Sequence, residues 1–132
     1  VKRHKLGLTF DSSTGYRLGP NNCYAPDVSF VAKARLRLLM PAPEKFLQGA
    51  PDLAVEVLSP SDSRREVAEK IGQFFAFSTR LAWVIDPRRH DVRVYREPAR
   101  SSFITENAFL TGHDVLPRFR YSLRRLFADP NF

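Results

Sequence analysis

Asp52-Leu53-Ala54-Val55-Glu56-Val57-Leu58-Ser59-Pro60-Ser61-Asp62-Ser63-Arg64-Arg65-Glu66 is the stretch on which the fold turns. Residues 53–58 are apolar apart from Glu56, the pattern of a central strand covered on both faces. Ser59-Pro60-Ser61-Asp62 ends the strand. Ser63-Arg64-Arg65-Glu66 fits a capping box and opens a helix. Projected over residues 63–78 at a helical repeat, Val67, Ile71, Phe74 and Phe75 form one apolar stripe, and Lys70 falls inside it. Two charges are thus set against a core, Glu56 in the strand and Lys70 on the helix. Each is costly there unless it is paired, hydrogen-bonded, bound to metal or neutralised.

The surrounding chain alternates in short elements. Residues 81–86 form the next strand, Pro87-Arg88-Arg89-His90 a turn, and residues 91–96 an alternating strand that completes a hairpin. Upstream, residues 6–10 form a strand, Asp11-Ser12-Ser13-Thr14-Gly15 is a turn cluster, and residues 16–18 return as the partner strand. Residues 27–31 read as a strand with Pro26 at its mouth, where no ladder donor is needed. Residues 33–48 are open between a short helix and an extended segment, and Pro41 and Pro43 break them. Residues 103–110 give one or two short strands, and residues 122–127 a last short helix. The sum is an α+β domain spanning residues 1–132, a mixed sheet with one well-marked helix packed on it.

Composition narrows the function classes. The chain of 132 residues is 43% hydrophobic with 11 Phe, which is globular and large enough for one core. No apolar run approaches the roughly 20 residues that span a bilayer. Val1-Lys2-Arg3-His4-Lys5 leads into no apolar signal segment. The single cysteine, Cys23, excludes an intramolecular disulfide framework and suits a reducing cytoplasm. A net charge of +7 favours a polyanionic partner, because phosphates reward Lys and Arg through counterion release. Arg64-Arg65, Arg88-Arg89 and Arg124-Arg125 are candidate phosphate contacts, or simply solvated faces. His4, His90 and His113 have no ligand spacing and read as surface residues. Asp86-Pro87 reads as turn chemistry, and Trp83 as core.

Asp27, in Ala25-Pro26-Asp27-Val28, and Glu56 are the carboxylates available to Lys70. Alternation puts Asp27 and Ser29 on the face of their strand opposite Val28 and Phe30. Two carboxylates and a lysine held against a core resemble a metal-dependent nuclease site. Magnesium prefers one or two carboxylates completed by waters and phosphate oxygens. Such a metal polarises a phosphodiester and helps generate hydroxide, while a lysine orients or deprotonates water. A buried salt bridge between Glu56 and Lys70 with no chemistry is the competing reading, as is Asp27 capping the turn after Pro26. Asp52 shares a face with Glu56 and is either a supporting carboxylate of the site or a strand-end residue.

The strings Ala25-Pro26-Asp27-Val28-Ser29-Phe30-Val31, Val55-Glu56-Val57-Leu58-Ser59-Pro60-Ser61 and Trp83-Val84-Ile85-Asp86-Pro87, with Lys70 between the last two, resemble the Uma-two-type family of restriction-endonuclease-like proteins, within the PD-(D/E)xK nuclease superfamily. The resemblance runs from about Gly7 to Phe127 and includes Leu110-Thr111-Gly112-His113-Asp114-Val115-Leu116-Pro117. It implies a restriction-endonuclease-like fold, a mixed sheet flanked by helices. It also implies Asp27 and Glu56 as ligands of magnesium or manganese, and hydrolysis of DNA, often by a homodimer. In the superfamily's plain pattern the lysine lies two residues past the acidic residue. Here that position is Leu58, and the lysine maps onto Lys70 in the following helix. The family's additional N-terminal helical segment is expected to precede the first residue here. Two departures stand out: the usual Tyr is Phe74, and the usual Gly-Val-Pro-Glu-Tyr is Ser78-Thr79-Arg80-Leu81-Ala82. An inactive nucleic-acid-binding or assembly module of the same fold is therefore the alternative, and a basic domain with a protein partner the third reading.

Overall fold

A computed structural model describes residues 2–4, 6–20, 22–39 and 46–130. The strand read at residues 53–58 is β7 (Leu53–Val57) and lies in the middle of a seven-stranded sheet. That sheet runs in the order β1 (Lys2–His4), β2 (Gly7–Asp11), β5 (Val28–Ala32), β7, β8 (Leu81–Asp86), β9 (Asp91–Glu97), β10 (Arg100–Thr105). β7 and β8 are parallel and every other neighbouring pair is antiparallel. The parallel pair is joined by α2 (Arg64–Ala76), so β7, α2 and β8 form a βαβ unit. The Ser63 hydroxyl caps α2 by accepting the Glu66 amide at 3.2 Å, half of the expected capping box.

Strand alternation divides the core between the two faces of the sheet. Leu53 and Val55 of β7, with Leu81, Trp83 and Ile85 of β8, face a cluster closed by Leu110, Val115 and Leu123. These come from the hairpin of β11 (Phe109–Gly112) and β12 (Leu116–Ser122) and from α3 (Leu123–Ala128). Trp83 is core, as expected, and stacks on Phe119. The opposite face carries Ala54, Glu56, Ala82, Val84 and Tyr95, and α2 lies over it. Ile71 of α2 packs on Ala82, Val84 and Tyr95, with Val67 and Phe75 beside them. Phe74 is completely buried in a neighbouring cluster with Val31 and Ala54. The apolar stripe read from the sequence is therefore the buried face of α2, and Lys70 lies within it at 25% side-chain exposure.

Two features depart from the sequence reading, and one open segment is resolved. Residues 16–18 do not return to residues 6–10. Instead β3 (Gly15–Arg17) pairs antiparallel with β4 (Cys23–Tyr24) and parallel with β6 (Phe46–Gln48) in a separate three-stranded sheet. The edge of β2 is free for β5 because Tyr16 turns inward, fully buried, and its hydroxyl meets Ser29 Oγ at 2.7 Å. The segment left open at residues 33–48 is helical at α1 (Lys33–Leu39) before β6, while Pro41 and Pro43 fall outside the described residues. β12 had no counterpart in the reading, because Arg118 and Arg120 interrupt its apolar pattern. No helix among the described residues is long and apolar enough to cross a membrane.

Candidate active site

β5 and β7 set the acidic pair by register. Val28 pairs with Val55 and Ser29 with Ala54 in antiparallel fashion. One step further, just before β5 begins, Asp27 comes opposite Glu56. Pro26, fully buried, fixes the entry of the chain, and Asp27 Oδ2 accepts the Val57 amide at 2.7 Å. The carboxylate of Asp27 is thereby tied to the peptide that follows Glu56. Glu56 lies near the C-terminal end of β7, beside its parallel neighbour β8, where α/β sheets commonly place ligands.

Lys70 comes down from the second turn of α2 and brings Nζ to 3.0 Å from Glu56 Oε1. Oε1 is buried, and the Lys70 ammonium is its partner there. Burial pushes the Glu56 carboxyl above the usual carboxylate range. The Lys70 ammonium opposes that shift, and the nearby charges of Asp27 and Asp62 reinforce it. The three residues singled out in the sequence, Asp27, Glu56 and Lys70, are thus brought together.

A fourth neighbour carries almost no signal in the sequence. Tyr24, at the end of β4, lines the same cleft as Glu56 and Lys70. The Lys70 ammonium is 5.9 Å from the centroid of its ring, which in turn meets Phe74 at 5.9 Å. Its position three residues before Asp27, across the Pro26 turn, is the only hint a sequence could offer. Asp62, Glu66 and Glu69 complete the rim of the cleft. An anion approaching Lys70 meets this negative rim unless a cation lies between them.

Asp52 is not part of this arrangement, which corrects its reading as a supporting carboxylate. It is fully buried four residues before Glu56, roughly 13 Å along an extended strand. Its Oδ2 accepts the Ala32 amide at 2.6 Å, and its Oδ1 lies 3.1 Å from both Arg35 and Arg80. Asp52 therefore clamps β5, α1 and the start of β8 together. The strand-end reading is the one that holds.

Of the basic clusters, Arg64 opens α2, and Arg65 pairs with Glu69 on its outer surface. Asp86 Oδ1 accepts the amides of Arg88 and Arg89, which is the expected turn chemistry. His90 is not simply a surface residue: its ring stacks on Phe127 and its Nδ1 meets Glu106. His113 is exposed in a left-handed turn, and the side chain of His4 falls outside the described residues.

The family model Uma2, described as "Putative restriction endonuclease", matches residues 1–124. The chain belongs to the Uma2 family. No match was found among the curated proteins. A solved structure with the same fold is a crystal structure titled as a putative nuclease belonging to DUF820 from Anabaena variabilis ATCC 29413. It is 22% identical, superposes with a TM-score of 0.78, and covers 93% of this chain and 69% of that one. The mixed sheet and flanking helices of this Uma2 chain are accordingly the restriction-endonuclease-like fold that the sequence pointed to. Among the described residues no three His, Cys, Asp or Glu side chains form an all-protein metal cage. Two neighbouring carboxylates, Asp27 and Glu56, are a donor set of the kind magnesium takes while keeping waters and phosphate oxygens in its shell.

Proposed function

We propose that this Uma2 protein is a metal-dependent endonuclease that hydrolyses DNA phosphodiester bonds. Asp27 and Glu56 would hold magnesium or manganese, and Lys70 would orient the attacking water. The observation that carries the reading is the 3.0 Å contact of Lys70 with the buried Glu56 carboxylate, beside Asp27, whose own carboxylate is tied to the peptide that follows Glu56. A divalent ion, when bound, supplies charge to the phosphate and lowers the pKa of a water. The chain's own part is to fix the ligands: β5 and β7 hold the carboxylates at strand register, and α2 fixes the ammonium. Lys70 can donate to a water or to the developing charge on the phosphate. Its pairing with Glu56 holds the ammonium at the carboxylate that would carry the metal. The acidic rim favours a cation over a free phosphate.

The test is plasmid cleavage in manganese by wild type and by Lys70→Ala, beside calorimetric titration of manganese into wild type and Glu56→Gln. Metal binding lost in Glu56→Gln, with cleavage lost in Lys70→Ala, supports the assignment. Equal cleavage by wild type and Lys70→Ala would reject the role given to the lysine. Each chain offers one such cluster among its described residues, and a duplex has two strands. We therefore place two copies on each target, a homodimer whose linear product rises faster than in proportion to protein concentration.

A further inference from the structure

A second cleft opens beside the acidic one on the α2 side of the sheet, and the two share Leu58 and Val67 as a common wall. Its floor is formed by Val84, Tyr95 and Phe103, with Ala68 at the edge. Strand register brings these positions to one face, since Arg93 pairs with Val84 on one side and with Phe103 on the other. The charged groups around the floor are of both signs: Arg64, Arg89 and Arg93, with Asp86 and Asp91. The Arg93 guanidinium lies over the Phe103 ring, 4.2 Å from its centroid. Arg89 Nε is 3.5 Å from Asp91 Oδ2.

The lining discriminates between ligand classes. A phosphate is acceptor-only, so it could use the three arginines and neither of the two carboxylates. A purely apolar ligand would leave unused the donor and acceptor capacity that remains on the charged rim beyond the Arg89–Asp91 pair and the amides Asp86 accepts. A planar heteroaromatic ring satisfies both halves, with its faces on the apolar floor and its donor and acceptor edge toward the arginines and aspartates. The stacked Arg93–Phe103 pair extends that floor with a flat, cationic surface of the kind on which splayed bases rest.

We propose that this cleft captures an unpaired nucleobase of the strand whose phosphate lies at Glu56 and Lys70. The placement of that phosphate rests on the nuclease reading, whereas capture of the base does not require any chemistry. The shared wall makes the two clefts neighbours along one strand. The substrate preferred by this site is then single-stranded, mismatched or otherwise easily unstacked, because a paired base must first leave its stack.

The test compares equilibrium binding of a short oligothymidylate with that of an abasic strand of the same length, in calcium. Wild type is expected to bind the base-bearing strand about tenfold more tightly, the scale of one stacked base. Ala68→Trp, at an exposed helix position on the cleft edge, fills the space. It is expected to bind both strands alike, with its affinity for the abasic strand unchanged. Phe103→Ala, at a position 54% exposed, removes part of the floor without opening the core and should lose part of the preference. Equal affinity for the two strands in wild type, a preference undiminished in Ala68→Trp, or no binding of either strand would overturn the proposal. Base-dependent binding without manganese-supported cleavage would overturn the nuclease reading and leave the cleft assignment standing.

Discussion

Glu56 is the residue in which stability and function oppose each other. Burial raises its pKa more than the Lys70 ammonium lowers it. Between the ordinary carboxylate range and that raised value, the folded state keeps a proton that the unfolded state has released. Stability therefore declines as pH rises through this window and levels off above it. Glu56→Gln cannot ionise. Its denaturation midpoint is expected to exceed that of wild type at neutral pH, and the difference should vanish below the ordinary carboxylate range. A midpoint lower than wild type at neutral pH would show that the ion pair with Lys70 outweighs the burial. Metal affinity should run the other way, climbing with pH through the same window, because only the ionised carboxylate is a ligand. In Lys70→Ala the cation opposing the shift is gone, so the metal-binding curve should move to higher pH. Cleavage should fall by about 10²-fold or more, the range of a lost general acid–base or positioning group. Calorimetric titrations at several pH values separate the two effects. Tyr24 offers a finer probe: Tyr24→Phe keeps the ring beside the ammonium, whereas Tyr24→Ala removes it and should shift the same curve.

At the scale of elements, α2 positions the lysine, and its two ends are built with unequal success. The N-terminus has a good cap in Ser63. The C-terminus closes as a Schellman motif, with the Thr79 amide bonded to the Phe74 carbonyl and the Ser78 amide to the Phe75 carbonyl. Ser78 takes the left-handed position at φ 87°, where glycine is favoured. Ser78→Gly is therefore expected to stabilise the protein by about 0.5–1 kcal/mol, read as an upward shift of the urea midpoint without a change in slope. Asp52→Ala should act in the opposite direction, by roughly 2–4 kcal/mol. It leaves the Ala32 amide without its acceptor and the guanidinium groups of Arg35 and Arg80 without their anion. A loss below about 1 kcal/mol would mean that the clamp is redundant. These elements also show what the sequence could carry. α2, β7, β8 and β9 were legible because period and caps agree over enough residues. Glu56 and Lys70 stood out because each is a charge in an apolar pattern, whereas Asp27 entered as an available carboxylate and through the family resemblance. Tyr24 was not, because nothing local marks a tyrosine after a turn as a neighbour of a lysine far along the chain. The partner of residues 16–18 was illegible for the same reason: β6 lies across a long connection, and a tight turn argued for the nearer strand.

At the scale of the whole molecule, net charge and site charge differ in sign. The chain carries +7, yet the cleft at Glu56 and Lys70 is rimmed by Asp62, Glu66 and Glu69. Arginines gather elsewhere: Arg64 at the mouth of α2, Arg88 and Arg89 on the β8–β9 turn, and Arg120 and Arg125 stacked on Phe109 and Tyr121. On the proposed nuclease reading, a nucleic acid would be held mainly by these arginines outside the cleft and would enter it with a cation. Affinity should then be set by phosphate contacts and fall with salt. With about three such contacts, a fourfold rise in salt from 50 mM should weaken duplex binding by about 40-fold, following a slope near −0.9 per contact. Arg88→Ala should reduce that slope by about 1 if it touches phosphate, and weaken all sequences alike, whereas Arg89→Ala should reduce it by less, because Asp91 already pairs with Arg89. Lys70→Ala should leave the slope almost unchanged, because its charge is matched by Glu56 within the protein. Fluorescence anisotropy of a labelled duplex across a salt series measures all three slopes. A Lys70→Ala slope reduced as much as that of Arg88→Ala would place the lysine on the phosphate backbone instead of beside the metal.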